Sequence, residues 1–197
     1  MTRMPMRLRE FRADENGVAA IELAIVLPFM LLLCMGGVEL GNALSINVKV
    51  TATVHTIADI LSQNKCVTTS DVTGILNASS RVLSPYDITK AVVTVTEVQP
   101  TGDNITAKVI WSQSLNGTAR TTGTTVNLPT SLTGVPTTTG LILGETTYFY
   151  TPNLGYTISG TVTLSDSYYL YPRQTSFVPT ITSGTTPPVP GTSCPTS

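Results

Sequence analysis

The apolar and polar positions of the chain follow three different patterns from the N-terminus to the C-terminus. Over residues 18–38 nearly every position is apolar, and Glu22 is the only charged residue. At about 1.5 Å of rise per residue, a helix of this length spans about 30 Å, the thickness of a bilayer core. This first pattern therefore predicts a transmembrane helix over residues 18–40.

The second pattern continues the helical period beyond the apolar run. Residues 42–63 contain no proline, so nothing in them breaks a helix. Apolar side chains recur there near helical spacing, at Ile46, Val50, Ile57 and Leu61. We therefore expect a helix extension over residues 41–65 that supports an outer domain of residues 66–197.

A second, shorter helix is predicted over residues 71–82. Ser70 is a good N-cap residue, and Asp71 suits the first turn of a helix. The residues expected on its inner face are Ile75, Leu76 and Val82.

The third pattern is an alternation of β-branched and polar residues, which is typical of strands. It predicts a β-hairpin from residues 91–99 and 107–114, joined by a turn at residues 100–104. Further strands are predicted at residues 146–151, 156–164 and 168–171. The threonine-rich residues 117–140 are expected to form a long surface loop, and the Pro/Thr-rich residues 180–197 an extended tail.

The charged residues orient the predicted membrane helix. Basic residues precede it at Arg3, Arg7, Arg9 and Arg12, whereas Lys49 is the only basic residue in the stretch directly after it. Positive charge stays on the cytoplasmic side, so the N-terminus is expected in the cytoplasm and the outer domain beyond the membrane. Cleavage of a secretory signal after Ala43, giving a secreted chain that begins at Leu44, is the alternative.

Composition adds that a nucleic-acid partner is not expected. Charged residues make up only 12% of the chain, against about 25% in an average protein. The net charge is −1, which provides no basic surface for a phosphate backbone.

Three cysteines lie in different environments. Cys34 falls inside the apolar run and is expected to act as a small apolar residue. Cys66 and Cys194 both follow the anchor, and in an oxidising compartment they would form a disulfide that holds the C-terminal tail near the end of the first helix. The alternative is two unrelated free thiols.

Glu22 is the residue of the apolar run that most calls for a function, because a carboxylate in a membrane helix is costly. One interpretation is that Glu22 only extends towards the nearby interface. The other starts from Gly17, directly before the run. If a peptidase cuts between Gly17 and Val18, the new amine of Val18 can pair with Glu22 of a neighbouring helix and set the register between subunits.

The segment of residues 14–41 resembles the N-terminus of the TadE/TadG-like family, which comprises minor pseudopilins of the Tad (Flp-type) branch of type IVb pili. The resemblance rests on the basic leader, the leucine-rich core and Gly17, Ala19, Ala20, Glu22, Pro28 and Glu39-Leu40-Gly41. Leu23 and Leu40 stand where the family commonly has aromatic residues. A looser resemblance covers residues 144–173, with their alternating aromatics, Thr-Pro turn and closing Pro-Arg.

This resemblance implies a function, a location and partners. The protein would be a minor pseudopilin that takes part in assembly or initiation of a Tad-type pilus for surface adherence. A prepilin peptidase would remove the leader, residues 1–17, and the mature chain would sit in the bacterial inner membrane with its C-terminal domain in the periplasm. Other pilins and pseudopilins and the inner-membrane assembly platform would be its partners. The expected fold class is α+β, with a long N-terminal transmembrane helix that extends into a small periplasmic domain with an antiparallel sheet.

No pattern of residues predicts catalysis, a metal site or a cofactor. The single histidine, His55, has no obvious catalytic or metal-binding partner in the sequence and is expected to be structural. The tyrosines at 148, 150, 168, 169 and 171 are expected to pack in the sheet, although an exposed adhesive surface is the alternative. The competing functional hypothesis is an unprocessed single-pass membrane protein whose outer domain binds a ligand or an envelope partner.

Overall fold

The computed structural model describes residues 16–103, 105–152 and 160–181 of the 197-residue chain. The described residues divide into an N-terminal unit, within residues 1–43 and 151–160, and a sheet unit, within residues 44–150 and 161–197. The predicted α+β class is confirmed, since a long apolar N-terminal helix precedes a small antiparallel sheet.

Helix α1 runs without interruption over Asn16–Ser62, with Pro28 inside it. It therefore includes both the apolar run and the extension that the sequence predicts. Two of its C-terminal carbonyl groups are satisfied locally. The Asn64 side chain donates to the carbonyl of Ile60 at 2.7 Å, and the Asn64 N–H donates to that of Leu61 at 3.1 Å.

Helix α2 spans Thr69–Leu83 and directly follows the two-residue strand β1, Val67–Thr68. Its N-cap is Thr68, so the prediction of Ser70 is wrong. The Asp71 N–H donates to Oγ1 of Thr68 at 3.1 Å, and the Thr68 N–H donates to the Asp71 carboxylate at 2.8 Å. This reciprocal capping box starts the helix two residues earlier than a lone serine cap would.

The inner face of α2 also differs from the prediction. Of the three residues expected there, Leu76 is buried, whereas Ile75 and Val82 are only half-buried. The buried positions are Val72, Leu76, Ser79 and Leu83. They recur every three or four residues, which is the face that a helix beginning at Thr69 turns inward.

Five strands form an antiparallel sheet in the order β4–β3–β2–β5–β6. Their bounds are Ala91–Pro100 for β2, Thr106–Leu115 for β3, Thr125–Asn127 for β4, Leu141–Tyr150 for β5 and Val162–Leu170 for β6. The predicted hairpin is confirmed as β2 and β3. A separate two-stranded parallel pair joins β1 to β7, Thr180–Ile181.

The later strands correct the sequence-based boundaries. Strand β5 begins at Leu141, five residues before the predicted strand at 146–151. Strand β6 is one continuous strand where two were predicted, and residues 156–159 of the first lie outside the described residues. The polar Ser165, Asp166 and Ser167 resemble a break between strands, but alternate residues of this edge strand face solvent and polar side chains are tolerated there.

The threonine-rich residues 117–140 are more ordered than a plain surface loop. They contain β4 and a turn of 3₁₀ helix at Thr130–Leu132. Their apolar residues pack onto one end of the sheet in a cluster made of Val98, Ala107, Val109, Val126, Leu128, Val135 and Leu141. This segment therefore closes part of the core.

The second part of α1 belongs to the sheet unit and supplies much of its core. Its buried apolar residues are Ile46, Val50, Val54, Ile57, Ala58 and Leu61. Gly144 on β5 allows the helix to come close, since a Cβ at that position would lie 3.1 Å from the carbonyl oxygen of Val54. The backbone of β5 therefore packs closely against the backbone of this part of the helix.

Candidate functional site

In the first part of α1, residues 18–34 have no other element packed against them, and we call these residues the bare segment. The large apolar side chains of residues 18–33 are all exposed, with Leu33 the most exposed at 78%. Within the described residues, α1 is the one helix long and apolar enough to cross a membrane, and none of its most apolar window is buried. An exposed apolar surface this large requires a lipid phase or other helices around it.

The three residues that the sequence assigns to processing and register lie at the start of this bare segment. Gly17, Val18 and Glu22 are all helical and exposed. No atom lies within 4 Å of the position that a Cβ on Gly17 would take. Val18 and Glu22 are four residues apart and therefore share one face of the helix.

The N-terminal part of α1 also carries residues suited to close helix packing. Gly37 has no neighbour within 4 Å of a built Cβ, and Gly41 lies four residues further along. Small residues at this spacing allow a second helix to approach closely. Pro28 removes one backbone donor, which membrane helices tolerate.

Glu39 differs from Glu22, although both are carboxylates of the same helix. Only 2% of Glu39 is exposed, and it has interaction partners in the structure. The sequence marks Glu39 only as part of the closing motif, and its burial is not evident from that motif. The two glutamates therefore have different environments, one open and one enclosed.

A row of polar contacts fixes the second part of α1 to strand β6 and the segment after it. Thr51 donates to Asp166 at 2.6 Å, and the ring of His55 contacts that of Tyr168 at 3.8 Å between centroids, with the two planes tilted by 39°. Asp59 forms an ion pair with Arg173. Because Thr51, His55 and Asp59 are spaced every four residues, they lie on one face of the helix. We call these three pairs the polar seam.

The seam gives His55 the structural role that the sequence predicts for it. The tyrosines divide between core and surface. Tyr148 and Tyr150 are buried, Tyr168 and Tyr169 are half-buried, and Tyr171 is exposed. Packing in the sheet therefore accounts for most of the cluster.

One shallow cavity of about 280 Å³ opens on the sheet, lined by Val92, Thr94, Thr118, Arg120, Glu145 and Thr147. Arg120 donates to both carboxylate oxygens of Glu145, at 2.9 and 2.6 Å. This pairing compensates both charges and raises the pKa of Arg120 further. No nucleophile with an adjacent base lines the cavity, and within the described residues no group of three or more His, Cys, Asp or Glu could hold a metal ion.

Glu97, which the sequence patterns do not single out, is completely buried on β2. Trp111 donates its indole N–H to Oε2 of Glu97 at 2.8 Å, and the Val178 N–H donates to Oε1. Burial raises the pKa of Glu97 to about 7, although these two hydrogen bonds lower it. Glu97 shares strand parity with Val93 and Val95, and this alternation was the available signal that it faces the core.

The cysteines are only partly described. Cys34 is an exposed free thiol on the bare segment of α1. Cys66 lies between α1 and β1, while Cys194 lies outside the described residues. The predicted pairing of these two therefore stays a prediction.

Comparison with known proteins bears on the helix. The family model for TadE-like proteins matches residues 17–59, which is nearly all of α1. No curated protein and no solved structure matches the chain. The matched segment begins at Gly17, includes Glu22 and spans both the bare and the covered part of the helix. The predicted resemblance is thus confirmed for this segment: the TadE-like match at residues 17–59 is consistent with a TadE-like family protein of the Tad pilus system.

Proposed function

We propose that the protein is a minor pseudopilin that takes part in the assembly or initiation of a Tad-type pilus used for surface adherence. The observation that carries this proposal is the bare apolar segment of α1, with Gly17 and Val18 accessible at its start and Glu22 exposed one turn later. A helix of this kind can leave the lipid phase only by entering another apolar environment. A bundle of similar helices provides that environment.

Processing is the first step of the proposal. A prepilin peptidase removes residues 1–17, so that Val18 becomes the N-terminal residue with a charged amine. In the bundle this amine pairs with Glu22 of a neighbouring pilin or pseudopilin. The pairing offsets much of the cost of burying both charges and selects one axial register.

The location follows from the same segment. The leader lies in the cytoplasm, residues 18–40 cross the inner membrane, residues 41–65 continue the helix, and residues 66–197 form the periplasmic domain. The basic leader supports this orientation through the positive-inside rule. The inner-membrane assembly platform is the expected partner that draws the helix out of the bilayer.

A disulfide between Cys66 and Cys194 belongs to the proposal as the attachment of the C-terminal tail. Maleimide labelling of the protein isolated from its host checks it. Labelling at these two cysteines only after reduction is the expected result. Labelling without reduction would mean that the tail is not held by a disulfide.

The deciding experiment is the intact mass and N-terminal sequence of the protein from its host membranes. A chain that begins at Val18 supports the proposal, and Gly17→Leu should then leave the full-length chain. Gly37→Leu is a matched control, because it changes an equally open glycine of the same helix away from the cleavage point. A chain that begins at Met1 contradicts the proposal and favours an unprocessed membrane protein with a ligand-binding or partner-binding domain. A start at Leu44 would indicate a secreted protein.

A further inference from the structure

The segment of residues 175–181, which we call the strap, crosses the sheet unit between β6 and β1. Its backbone is bound at separate places. The carbonyl of Ser176 accepts from the Gly140 N–H at 2.7 Å, and that of Pro179 accepts from the Val67 N–H at 3.2 Å. Its side chains Phe177 and Val178 are buried. The strap is therefore a packed part of the domain, although it has only two residues of strand.

The centre of the strap is held by Glu97 and Trp111. Val178 donates its N–H to Glu97 and accepts from the Trp111 indole N–H at 2.9 Å, while the same indole N–H donates to Glu97 at 2.8 Å. One carboxyl group and one indole thus satisfy both backbone groups of Val178. Glu97 is 0% exposed, so water does not compete for these hydrogen bonds.

The fit around the carboxyl group is tight. A Cβ on Gly140 would lie 3.0 Å from Oε1 of Glu97 and 2.6 Å from the ring of Phe177. Trp111 from β3 and Val178 from the strap donate to the carboxyl, and Gly140 before β5 and the ring of Phe177 lie close by. None of these groups is charged, and Glu97 has no charged partner within the described part of the chain.

We propose that Glu97 is the latch of a pH-sensitive clasp, which holds the strap closed while its carboxyl is protonated and loosens it when the carboxyl ionises. A buried carboxylate without a cation is unfavourable, whereas opening the strap returns it to water. The clasp lies wholly in the sheet unit and does not depend on the proposed role in pilus assembly.

The direction of the effect follows from proton linkage. The pKa of Glu97 is raised from its ordinary value of 4.5 to about 7 in the closed clasp. Protonation therefore favours the closed form, fully below about pH 4.5, and this advantage is lost as the pH rises through about 7. Between pH 6 and pH 8 the opening equilibrium of the strap should rise on the order of tenfold.

The only tryptophan of the chain, Trp111, provides a direct readout of the latch. In the full-length chain in detergent micelles, Trp111 fluorescence should titrate with a midpoint near pH 7, because its N–H donates to the titrating carboxyl. Glu97→Gln should abolish this titration. Glu145→Gln, which changes an ion-paired glutamate of the neighbouring strand, and His55→Asn, which removes the only histidine, should both retain it.

Hydrogen exchange then tests the movement of the strap. After correction for intrinsic exchange rates, peptides covering residues 175–181 should lose protection about tenfold between pH 6 and pH 8 in the wild type and remain unchanged in Glu97→Gln. A folded wild type without a fluorescence titration between pH 5.5 and 8.5 would overturn the proposal. A titration that survives Glu97→Gln or disappears in His55→Asn would overturn it as well. If Glu97→Gln does not fold, the wild-type and His55→Asn titrations still decide.

Discussion

The two parts of α1 are both rich in apolar residues, but the protein uses them in opposite ways. In the first part, every large apolar side chain of residues 18–33 is exposed, whichever direction it faces. In the second, Ile46, Val50, Val54 and Leu61 are buried, while Leu44 and Val48 remain exposed. A helix that is apolar on all sides needs an apolar environment on all sides, whereas one apolar face needs only a sheet. The spacing of the apolar residues, more than their hydrophobicity, therefore distinguishes the two parts of α1.

The largest expected effect concerns the charge in the bare part. Under the proposed processing, the amine of Val18 in Glu22→Ala would have no carboxylate partner in a bundle, and a buried unpaired charge costs about 3–5 kcal/mol. Incorporation into assembled pili, measured by co-purification with pilins, should fall at least about 100-fold while the intact mass still shows a start at Val18. Asp166→Ala changes a carboxylate of the sheet unit and should leave incorporation near wild type. Normal incorporation of Glu22→Ala would contradict the proposed pairing of Glu22 with the Val18 amine.

Paired leucine substitutions test whether the covered part alone stabilises the domain. Leu61→Ala should lower the free energy of unfolding by about 2–5 kcal/mol, because Leu61 is fully buried and its removal leaves a cavity. Leu33→Ala should change it by less than about 0.5 kcal/mol. Urea unfolding in micelles, followed by Trp111 fluorescence, measures both. Equal losses would mean that the bare part also supports the sheet unit.

Glycine substitutions sharpen the comparison at the backbone level. Gly144→Ala places a methyl group 3.1 Å from the carbonyl oxygen of Val54, and pushing the helix away should cost about 1–3 kcal/mol. Gly37→Ala meets nothing and improves helix propensity, so the same unfolding measurement should show no loss. A neutral Gly144→Ala would mean that the covered part of α1 is more loosely seated than its contacts indicate.

The polar seam should contribute least. Asp59 and Arg173 are both substantially exposed, and exposed ion pairs contribute about 0–1 kcal/mol. A double-mutant cycle of Asp59→Asn and Arg173→Met should give a coupling energy in that range, and the coupling should shrink in about 0.5 M salt. A coupling energy well above this range would make the seam, and not the apolar face, the main attachment of helix to sheet.

The sequence was sufficient where one local pattern decides the structure. The continuous apolar run predicts α1, and the alternation around a turn-rich segment predicts the hairpin of β2 and β3. The N-cap of α2 was missed because Ser70 and Thr68 are both good caps, and the reciprocal bond with Asp71 selects Thr68. The position of this N-cap is therefore also set locally, but by the pair of Thr68 and Asp71 and not by a single residue.

The remaining features depend on contacts between segments distant in the chain. The sequence of β6 suggests two strands, because it does not indicate that Asp166 accepts a hydrogen bond from Thr51 on α1. The sequence of the threonine-rich segment suggests a loop, because it does not indicate that Val126 and Val135 pack into the core cluster at one end of the sheet. Glu97 resembles an ordinary strand glutamate in the sequence, because its hydrogen bond from Val178 of the strap joins residues far apart in the chain. Of the candidate site, sequence pattern supplied Gly17, Val18 and Glu22, but not the exposure that makes them accessible.

The central position of β2 has a consequence for how the domain forms. Strand β2 pairs with β3 across a short turn, but its other neighbour, β5, arrives only after the long threonine-rich segment. Closing a long loop costs entropy before its contacts form, so pairings between distant segments are slow. We therefore expect the β2–β3 and β5–β6 hairpins to appear early during folding and the ladder between β2 and β5 to join them in the rate-limiting step. Until that ladder closes, β2 and β5 each present an unpaired edge, and in this interval a newly synthesised chain is most exposed to aggregation.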